Sequence, residues 1–125
     1  MSAFLSFLSL IVVLFSGGPS IPYDEIEKAF NSQNEMVIMG HAKEKVLLSI
    51  NGSEKICSKS QSEQILKKFF SDYPNGKFKF EFKGEKDNNG AVSIGKYSSS
   101  DSSFTVTIEF KKIGNSFLIA RLSIE

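Results

Sequence analysis

The chain of 125 residues has 15 Lys and Arg against 14 Asp and Glu, with one His and one Cys, so its formal net charge is only +1. This length excludes two ordinary domains, and the near-zero charge argues against nucleic acid as a partner, because binding phosphates requires a basic field. Apolar residues make up 41% and charged residues 23% of the chain, which are the proportions of a folded globular domain.

The first 20 residues have the pattern of an export signal. Residues 4–15 form an apolar run interrupted only by Ser6 and Ser9, and every charged side chain lies beyond residue 23. The run is too short for a bilayer-spanning helix, which needs about 20 apolar residues, but it suits the apolar region of a signal peptide. Gly18 and Ser20 supply the small residues that a signal peptidase requires, so the sequence predicts a signal peptide over 1–20 and a mature domain over 21–125.

These features predict a secreted or periplasmic protein, with two alternatives for the N-terminal segment. The segment has no Lys or Arg, which signal peptides usually carry, so it could instead remain as an uncleaved membrane anchor or fold as a buried helix. Contact with a membrane is expected only if the segment stays uncleaved. Cys57 is the only cysteine, so an intrachain disulfide is excluded even in an oxidising compartment.

Two helices are predicted at the start of the mature domain. Pro22 followed by Asp24 and Glu25 is typical of a helix start, because proline is tolerated in the first turn and acidic groups there complement the helix dipole. A second, shorter helix is predicted from Asn34 as its N-cap to about Ala42.

A β-hairpin and the longest helix are predicted next. Residues 45–51 read as a strand, and Asn51-Gly52 is a strong two-residue hairpin signal that predicts a short return strand. Ser60 and Glu63 have the spacing of a capping box, in which each side chain bonds the backbone amide of the other residue at a helix start. Apolar residues then recur at helical spacing until the helix ends at Pro74.

Four strands complete the predicted fold. Phe78, Phe80 and Phe82 alternate with charged residues, and this pattern predicts a strand with an apolar inner face and a solvated outer face. Further strands are predicted over residues 91–98, 104–110 and 116–125 from apolar alternations separated by turn signals. Helices followed by successive strands indicate an α+β domain with about three N-terminal helices on an antiparallel meander sheet.

The last predicted strand is apolar on both faces. Strict alternation places Leu118, Leu122 and Ile124 on one face and Phe117 and Ile119 on the other, so the second face needs a cover. This arrangement predicts a homodimer that forms through Phe117 and Ile119 on the outer face of the sheet.

The element order and one segment resemble a known family. Helix, helix, hairpin, helix and meander is the order of the nuclear-transport-factor-2-like (cystatin-like) cone. Residues 58–70, Ser-Lys-Ser-Gln-Ser-Glu-Gln-Ile-Leu-Lys-Lys-Phe-Phe, resemble the core motif of a small family of exported bacterial proteins that contain a domain of unknown function. Ile21-Pro22, Ile94-Gly95 and the ending Leu122-Ser123-Ile124-Glu125 are similar to other landmarks of that family. The resemblance implies a cone of helices on a curved antiparallel sheet and an export route, but no activity.

The resemblance also has two departures, at Cys57 and Ala42. Cys57 stands where an aromatic residue usually precedes the Ser-Lys pair of the motif. Ala42 stands where a large apolar residue usually closes the second helix, and this departure predicts either a looser core or a wider pocket.

A curved sheet covered by helices encloses an apolar concavity, which is a common place for a ligand. We expect a small apolar ligand to bind on the inward faces, at Ala42, Phe80, Tyr97, Val106 and Ile108. The sequence contains no catalytic, metal-ligating or cofactor-binding motif: His41 has no companion ligands, and Tyr97 and Arg121 have no acid or base partner at motif spacing.

These observations favour an exported, non-catalytic binding or interaction module, with two alternatives left open. One is a small enzyme of the isomerase or dehydratase type in the same cavity, since the cone superfold includes ketosteroid isomerase. The other is a structural dimer that acts through its outer sheet face. A buried carboxylate or histidine in the cavity would favour the enzyme. An empty apolar cavity would favour a ligand-binding protein. A filled cavity with an exposed apolar sheet face would favour binding to a protein partner.

Export can be tested on the protein from its native host. We expect intact-mass spectrometry to find a chain that begins at Ile21, because cleavage after Ser20 satisfies the small-residue requirement of the peptidase. A cytoplasmic product that retains Met1 would contradict the prediction, and a membrane-bound full-length form would support the anchor instead.

Overall fold

The structure is a computed structural model that describes residues 19–125. The helices in these residues are α1 (Tyr23–Asn31), α2 (Glu35–Gly40) and α3 (Lys59–Asp72). The strands are β1 (Ala42–Ile50), β2 (Ser53–Ser58), β3 (Lys77–Lys83), β4 (Gly90–Ser99), β5 (Ser102–Ile113) and β6 (Ser116–Ile124). Residues 1–18, which hold most of the expected signal peptide, lie outside the described part. Within 19–125, no helix combines the length and apolar character needed to cross a membrane.

The six strands form one curved sheet in the order β2-β1-β6-β5-β4-β3, with the helices on its inner face. The predicted hairpin β1–β2 and the antiparallel meander β3 to β6 are both confirmed. The expectation of a wholly antiparallel sheet is wrong at one place, since β1 and β6 run parallel. The chain leaves the hairpin through α3 and enters the sheet again at the far edge, so the returning meander brings β6 beside β1 in the same direction.

Both N-terminal helices begin where the sequence predicts. The side chain of Asn34 caps α2, with Oδ1 accepting a hydrogen bond from the amide of Val37 at 3.1 Å. The helix ends at Gly40, however, and Ala42 is the first residue of β1 rather than the end of the helix. Because the carbonyl of His41 accepts a hydrogen bond from the amide of Ile119 at 2.8 Å, pairing with β6 takes the chain out of the helix here.

Helix α3 has a capping box, but at different residues from those predicted. Ser58 Oγ accepts from the amide of Gln61 at 3.2 Å, and Gln61 Oε1 accepts from the amide of Ser58 at 2.9 Å. The predicted box at Ser60 and Glu63 is wrong, since both residues are already inside the helix. Pairing with β1 extends to Ser58, so the end of β2 decides which of two matching patterns becomes the cap.

A bulge in β3 reverses the orientation of its last aromatic residue. Phe78 and Phe80 are buried as predicted, but Phe82 is 54% exposed. The pairing with β4 passes from Phe80↔Gly95 to Phe82↔Ile94, so Glu81 is an extra residue in β3. An extra residue moves the following side chains to the opposite face, and Phe82 therefore stands on the outer face of the sheet.

A second bulge, in β6, corrects the expected faces of that strand. The pairing with β5 passes from Phe110↔Ile119 to Glu109↔Arg121, so Ala120 is the extra residue. Phe117 and Ile119, at 6% and 0% exposure, therefore lie on the inner face together with the residues after the bulge. The prediction that these two residues stand on the outer face is wrong, and they offer no surface to a second copy of the chain.

Helix α1 closes the free edge of β3. Asn31 accepts from the amide of Phe78 at 2.8 Å and donates to the carbonyl of the same residue at 3.0 Å. Glu27 Oε2 accepts from the amide of Phe80 at 3.0 Å. These side chains replace the hydrogen bonds of a neighbouring strand, so this edge is not available for pairing at Phe78 and Phe80.

The position of the capping box can be tested by comparing two serines. Ser58→Ala should lower the free energy of unfolding by about 1 kcal/mol, because the Gln61 amide loses its acceptor. Ser60→Ala, the matched control inside the helix, should change it by less than about 0.5 kcal/mol. Urea denaturation of both variants measures the difference, and a larger loss in Ser60→Ala would place the cap at Ser60 instead.

Candidate functional site

The five residues predicted to bind a ligand belong to one hydrophobic core. Ala42, Phe80, Tyr97, Val106 and Ile108 are each at most 8% exposed and pack in the same cluster between the sheet and the helices. None of them lines any of the four main surface pockets that residues 19–125 form. Binding of an apolar ligand at these residues stays a prediction, and it would require core side chains to move.

Tyr97 is held in this core by both its ring and its hydroxyl. Its ring centroid lies 5.6 Å from that of Phe69 and 5.7 Å from that of Phe70. The hydroxyl donates a hydrogen bond to the carbonyl of Tyr73 at 2.7 Å. Burial raises the pKa of Tyr97 above its ordinary value of 10.0, so the hydroxyl remains a protonated donor near neutral pH. Its geometry is that of a packed core residue.

The other polar candidates lie beside carboxylates near the surface. His41 Nε2 lies 3.3 Å from Glu25 Oε2. Arg121 lies between two carboxylates, with Nη1 3.2 Å from Glu109 Oε2 and Nη2 3.5 Å from Glu54 Oε1. Within residues 19–125 no group of three His, Cys, Asp or Glu side chains could hold a metal ion. Apart from Tyr97, the buried polar side chains of these residues are Ser49, Ser62, Ser93, Ser99 and Ser123.

Of the four main surface pockets that residues 19–125 form, a groove on the outer face of the sheet has the largest volume. It has a volume of about 630 Å³, lies across β4, β5 and β6 towards the β3–β4 loop, and is termed the outer groove. Its apolar lining includes Leu47, Phe82, Val92 and Ala120. Phe82 and Val92 are 54% and 42% exposed, and neighbouring exposed apolar side chains on one face are a mark of interaction sites.

Charged residues lie within the outer groove and at its rim. The Arg121–Glu109 ion pair is part of its lining, and Glu85, Asp87 and Lys111 also line it. Asp87 accepts hydrogen bonds from the amides of Gly90 and Asn89 at 2.9 and 2.7 Å, and these bonds lower the pKa of its carboxyl. The groove therefore combines an apolar centre with charges of both signs.

A strict alternation of inward and outward side chains along the strands does not predict this groove from the sequence. It places Phe82 inside, whereas the Glu81 bulge turns Phe82 outward. A signal was nevertheless available in β4, where Val92 and Ile94 alternate with Ser93 and Gly95. Ser93 and Gly95 face the core, so the apolar residues of this segment point outward.

The fold described above defines a nuclear-transport-factor-2-like (cystatin-like) domain. A solved domain of unknown function with a cystatin-like fold from Nostoc punctiforme matches it with a TM-score of 0.64 at 10% identity. The match covers 82% of this chain and 70% of that one. At this identity the likeness shows the fold alone.

The chain belongs to the DUF4783 family, a domain of unknown function whose family model matches residues 23–125. Crystal structures of DUF4783 family proteins from Bacteroides ovatus and Bacteroides uniformis are similar to it, with TM-scores of 0.76 and 0.77 and identities of 23% and 24%. The matches cover 86% and 85% of this chain and 96% of each relative. No curated protein matches the chain. The resemblance seen in the sequence and the cone fold that it implied are thus confirmed.

A larger side chain at Ala42 tests whether the cone is filled. We expect Ala42→Phe to lower the free energy of unfolding by about 1–3 kcal/mol, because overpacking a closed core forces neighbouring side chains out of their rotamers. Met36→Phe, at a 67% exposed position on α2, is the control and should change stability by less than about 0.5 kcal/mol. Urea denaturation measures the free energy of unfolding of both variants. A stabilised Ala42→Phe variant would reveal an unfilled cavity and favour the apolar-ligand hypothesis.

Proposed function

We propose that the protein is an exported, non-catalytic interaction module that binds another protein chain at its outer groove. One observation carries this proposal: Phe82 and Val92 are exposed on the outer sheet face, which no helix of residues 19–125 covers, while the inner face is packed with side chains. Apolar and aromatic side chains surrounded by polar groups have the composition of a protein interface. A filled cone with an exposed apolar sheet face favours a protein partner over a small ligand.

The occupant that we propose is a second copy of the chain. A two-fold interface places one patch against itself, so a charged patch must contain both signs to be self-complementary. The outer groove meets this condition, because Lys111 and Arg121 lie in it together with Glu85, Asp87 and Glu109. Self-association, expected from the sequence at Phe117 and Ile119, is thereby reassigned to Phe82 and Val92.

The enzyme alternative finds less support among the described residues. Isomerase chemistry in an apolar cavity requires an acid or a base there. The buried ionisable side chains of residues 19–125 are Tyr97 and Cys57, and the Tyr97 hydroxyl already donates to a backbone carbonyl. Neither has a buried carboxylate or histidine beside it to exchange a proton.

Export remains part of the proposal, and the described start of the domain supports it. Ile21 is 7% exposed and belongs to the core, whereas Ser20 is exposed. A cut after Ser20 therefore leaves every core residue of the described part in the mature chain.

Sedimentation of outer-face variants tests the proposed interface. We expect the purified protein to form dimers at micromolar concentration and Phe82→Asp with Val92→Lys to weaken self-association by about 100-fold, because two central apolar contacts are lost. Circular dichroism should show an unchanged fold, since both side chains are exposed.

Met36→Asp is the control, because Met36 is a 67% exposed apolar residue on α2, away from the groove. It should leave the dimer intact. A monomeric wild-type protein, or equal dissociation by Met36→Asp, would contradict an interface at the outer groove.

A further inference from the structure

The two edges of the sheet differ in whether their backbone is occupied. At β3 the edge groups of Phe78 and Phe80 are bonded by side chains of α1. At the β2 edge, the backbone of Glu54 and of Ile56 forms no hydrogen bond with any part of residues 19–125 outside the hairpin. The edge of β2 is therefore the place where an additional strand can pair.

The hairpin register determines which groups of β2 point away from the sheet. Asn51 and Gly52 have φ of 50° and 84°, so they form a two-residue turn closed by the hydrogen-bonded pair Ile50 and Ser53. Since hydrogen-bonded and non-hydrogen-bonded pairs alternate, the amides and carbonyls of Glu54 and Ile56 face outward. The next outward amide, that of Ser58, is taken by Gln61 in the capping box. The open edge thus offers two donors and two acceptors.

Two pockets lie beside this edge, between β2 and α3. One has a volume of about 310 Å³ and is lined by Ile56, Cys57, Gln61, Gln64, Ile65 and Lys55. The other has a volume of about 160 Å³ and is lined by Leu48, Ile50, Ser53, Ile65 and Lys55. Both pockets share Ile65 and Lys55, so they are neighbours along the strand.

An extended chain paired with β2 would place alternate side chains over these pockets. Its residues opposite Ser53, Lys55 and Cys57 share one face, because side chains of paired strands alternate together. The first and third of these positions reach the two pockets. The middle position faces Lys55, which is exposed and forms no ion pair within the described residues. A carboxylate there would complement its charge.

We propose that the edge of β2 binds an extended peptide segment of another protein, with the pattern apolar-x-acidic-x-apolar, as an added antiparallel strand. The backbone of the peptide bonds Glu54 and Ile56, its apolar side chains fill the two pockets, and its carboxylate pairs with Lys55. Backbone pairing supplies affinity and the pockets supply specificity, as in other cases of strand addition. The site is separate from the outer groove and does not depend on the function proposed for it.

The probe is the blocked heptapeptide acetyl-Thr-Val-Thr-Glu-Thr-Val-Thr-amide, titrated into the whole protein. Nuclear magnetic resonance should show saturable binding and slower hydrogen exchange of the Glu54 and Ile56 amides by about tenfold, because both become hydrogen-bonded. The amides of Phe78 and Phe80, already bonded to α1, should not change. A peptide with N-methyl groups on the pairing amides is the matched ligand control and should not bind.

Protein variants separate the pockets from the charge. Ile65→Lys should weaken binding about tenfold, because one apolar wall shared by both pockets is lost. Lys55→Glu should weaken it about threefold, and a peptide with Lys in place of Glu should restore binding to that variant. Lys79→Glu changes another exposed lysine, on β3, and should leave binding unchanged.

Three results would overturn the proposal. These are no saturable binding of the heptapeptide, equal binding of its N-methyl form, or protection of Glu54 and Ile56 in the free protein that disappears on dilution. The last result would make a second copy the occupant of the edge. Phe82→Asp with Val92→Lys should bind the peptide as the wild type does, so a failure of the outer-groove proposal remains distinguishable.

Discussion

The packing of aromatic rings between the helices and the inner sheet face fills the space that the cone fold encloses, and the surfaces of this protein depend on that packing. Phe30 of α1 stacks on Phe78 of β3 with ring centroids 4.4 Å apart, and Phe70 of α3 meets Phe30 edge-on at 5.9 Å. Gly95 allows this arrangement, since a Cβ at that position would lie 2.6 Å from the Phe78 ring. The concavity that the cone fold provides is thus filled by core side chains of the described residues, and we therefore propose binding at the outer face and at the free edge of β2.

The two bulges exchange residues between these inner and outer surfaces. The extra residue Glu81 turns Phe82 out of the core, and the extra residue Ala120 turns Phe117 and Ile119 into it. The Ala120 bulge also sets the orientation of Arg121, which consequently reaches Glu109 and Glu54 on the outer face. The Glu81 bulge therefore contributes Phe82 to the outer groove, and the Ala120 bulge contributes its ion pairs.

Helix α1 contributes to the core and to edge protection with different faces. Ile26 and Phe30 pack inward, while Glu27 and Asn31 bond the backbone of β3. A sheet with two open edges could pair with further copies of the chain indefinitely, because pairing at one edge leaves the other edge available. With β3 closed, strand addition at β2 would end after one partner. An open β2 edge is therefore compatible with a soluble complex of defined size.

The sequence by itself determined the features that depend on local hydrogen bonding and local periodicity. Residues close together in the chain define each of these features, which are the Asn34 cap, the Asn51-Gly52 turn, the alternation through Phe78 and Phe80, and the family motif over residues 58–70. Two capping patterns, at Ser58 and at Ser60, fit the same letters, and only the pairing of β2 with β1 selects the first. The tertiary structure also decided the parallel contact of β1 with β6, the two bulges and the filling of the cone. These features arise between residues far apart in the chain, where a shift of one residue reverses which side chains face the core, and no local pattern records such a shift.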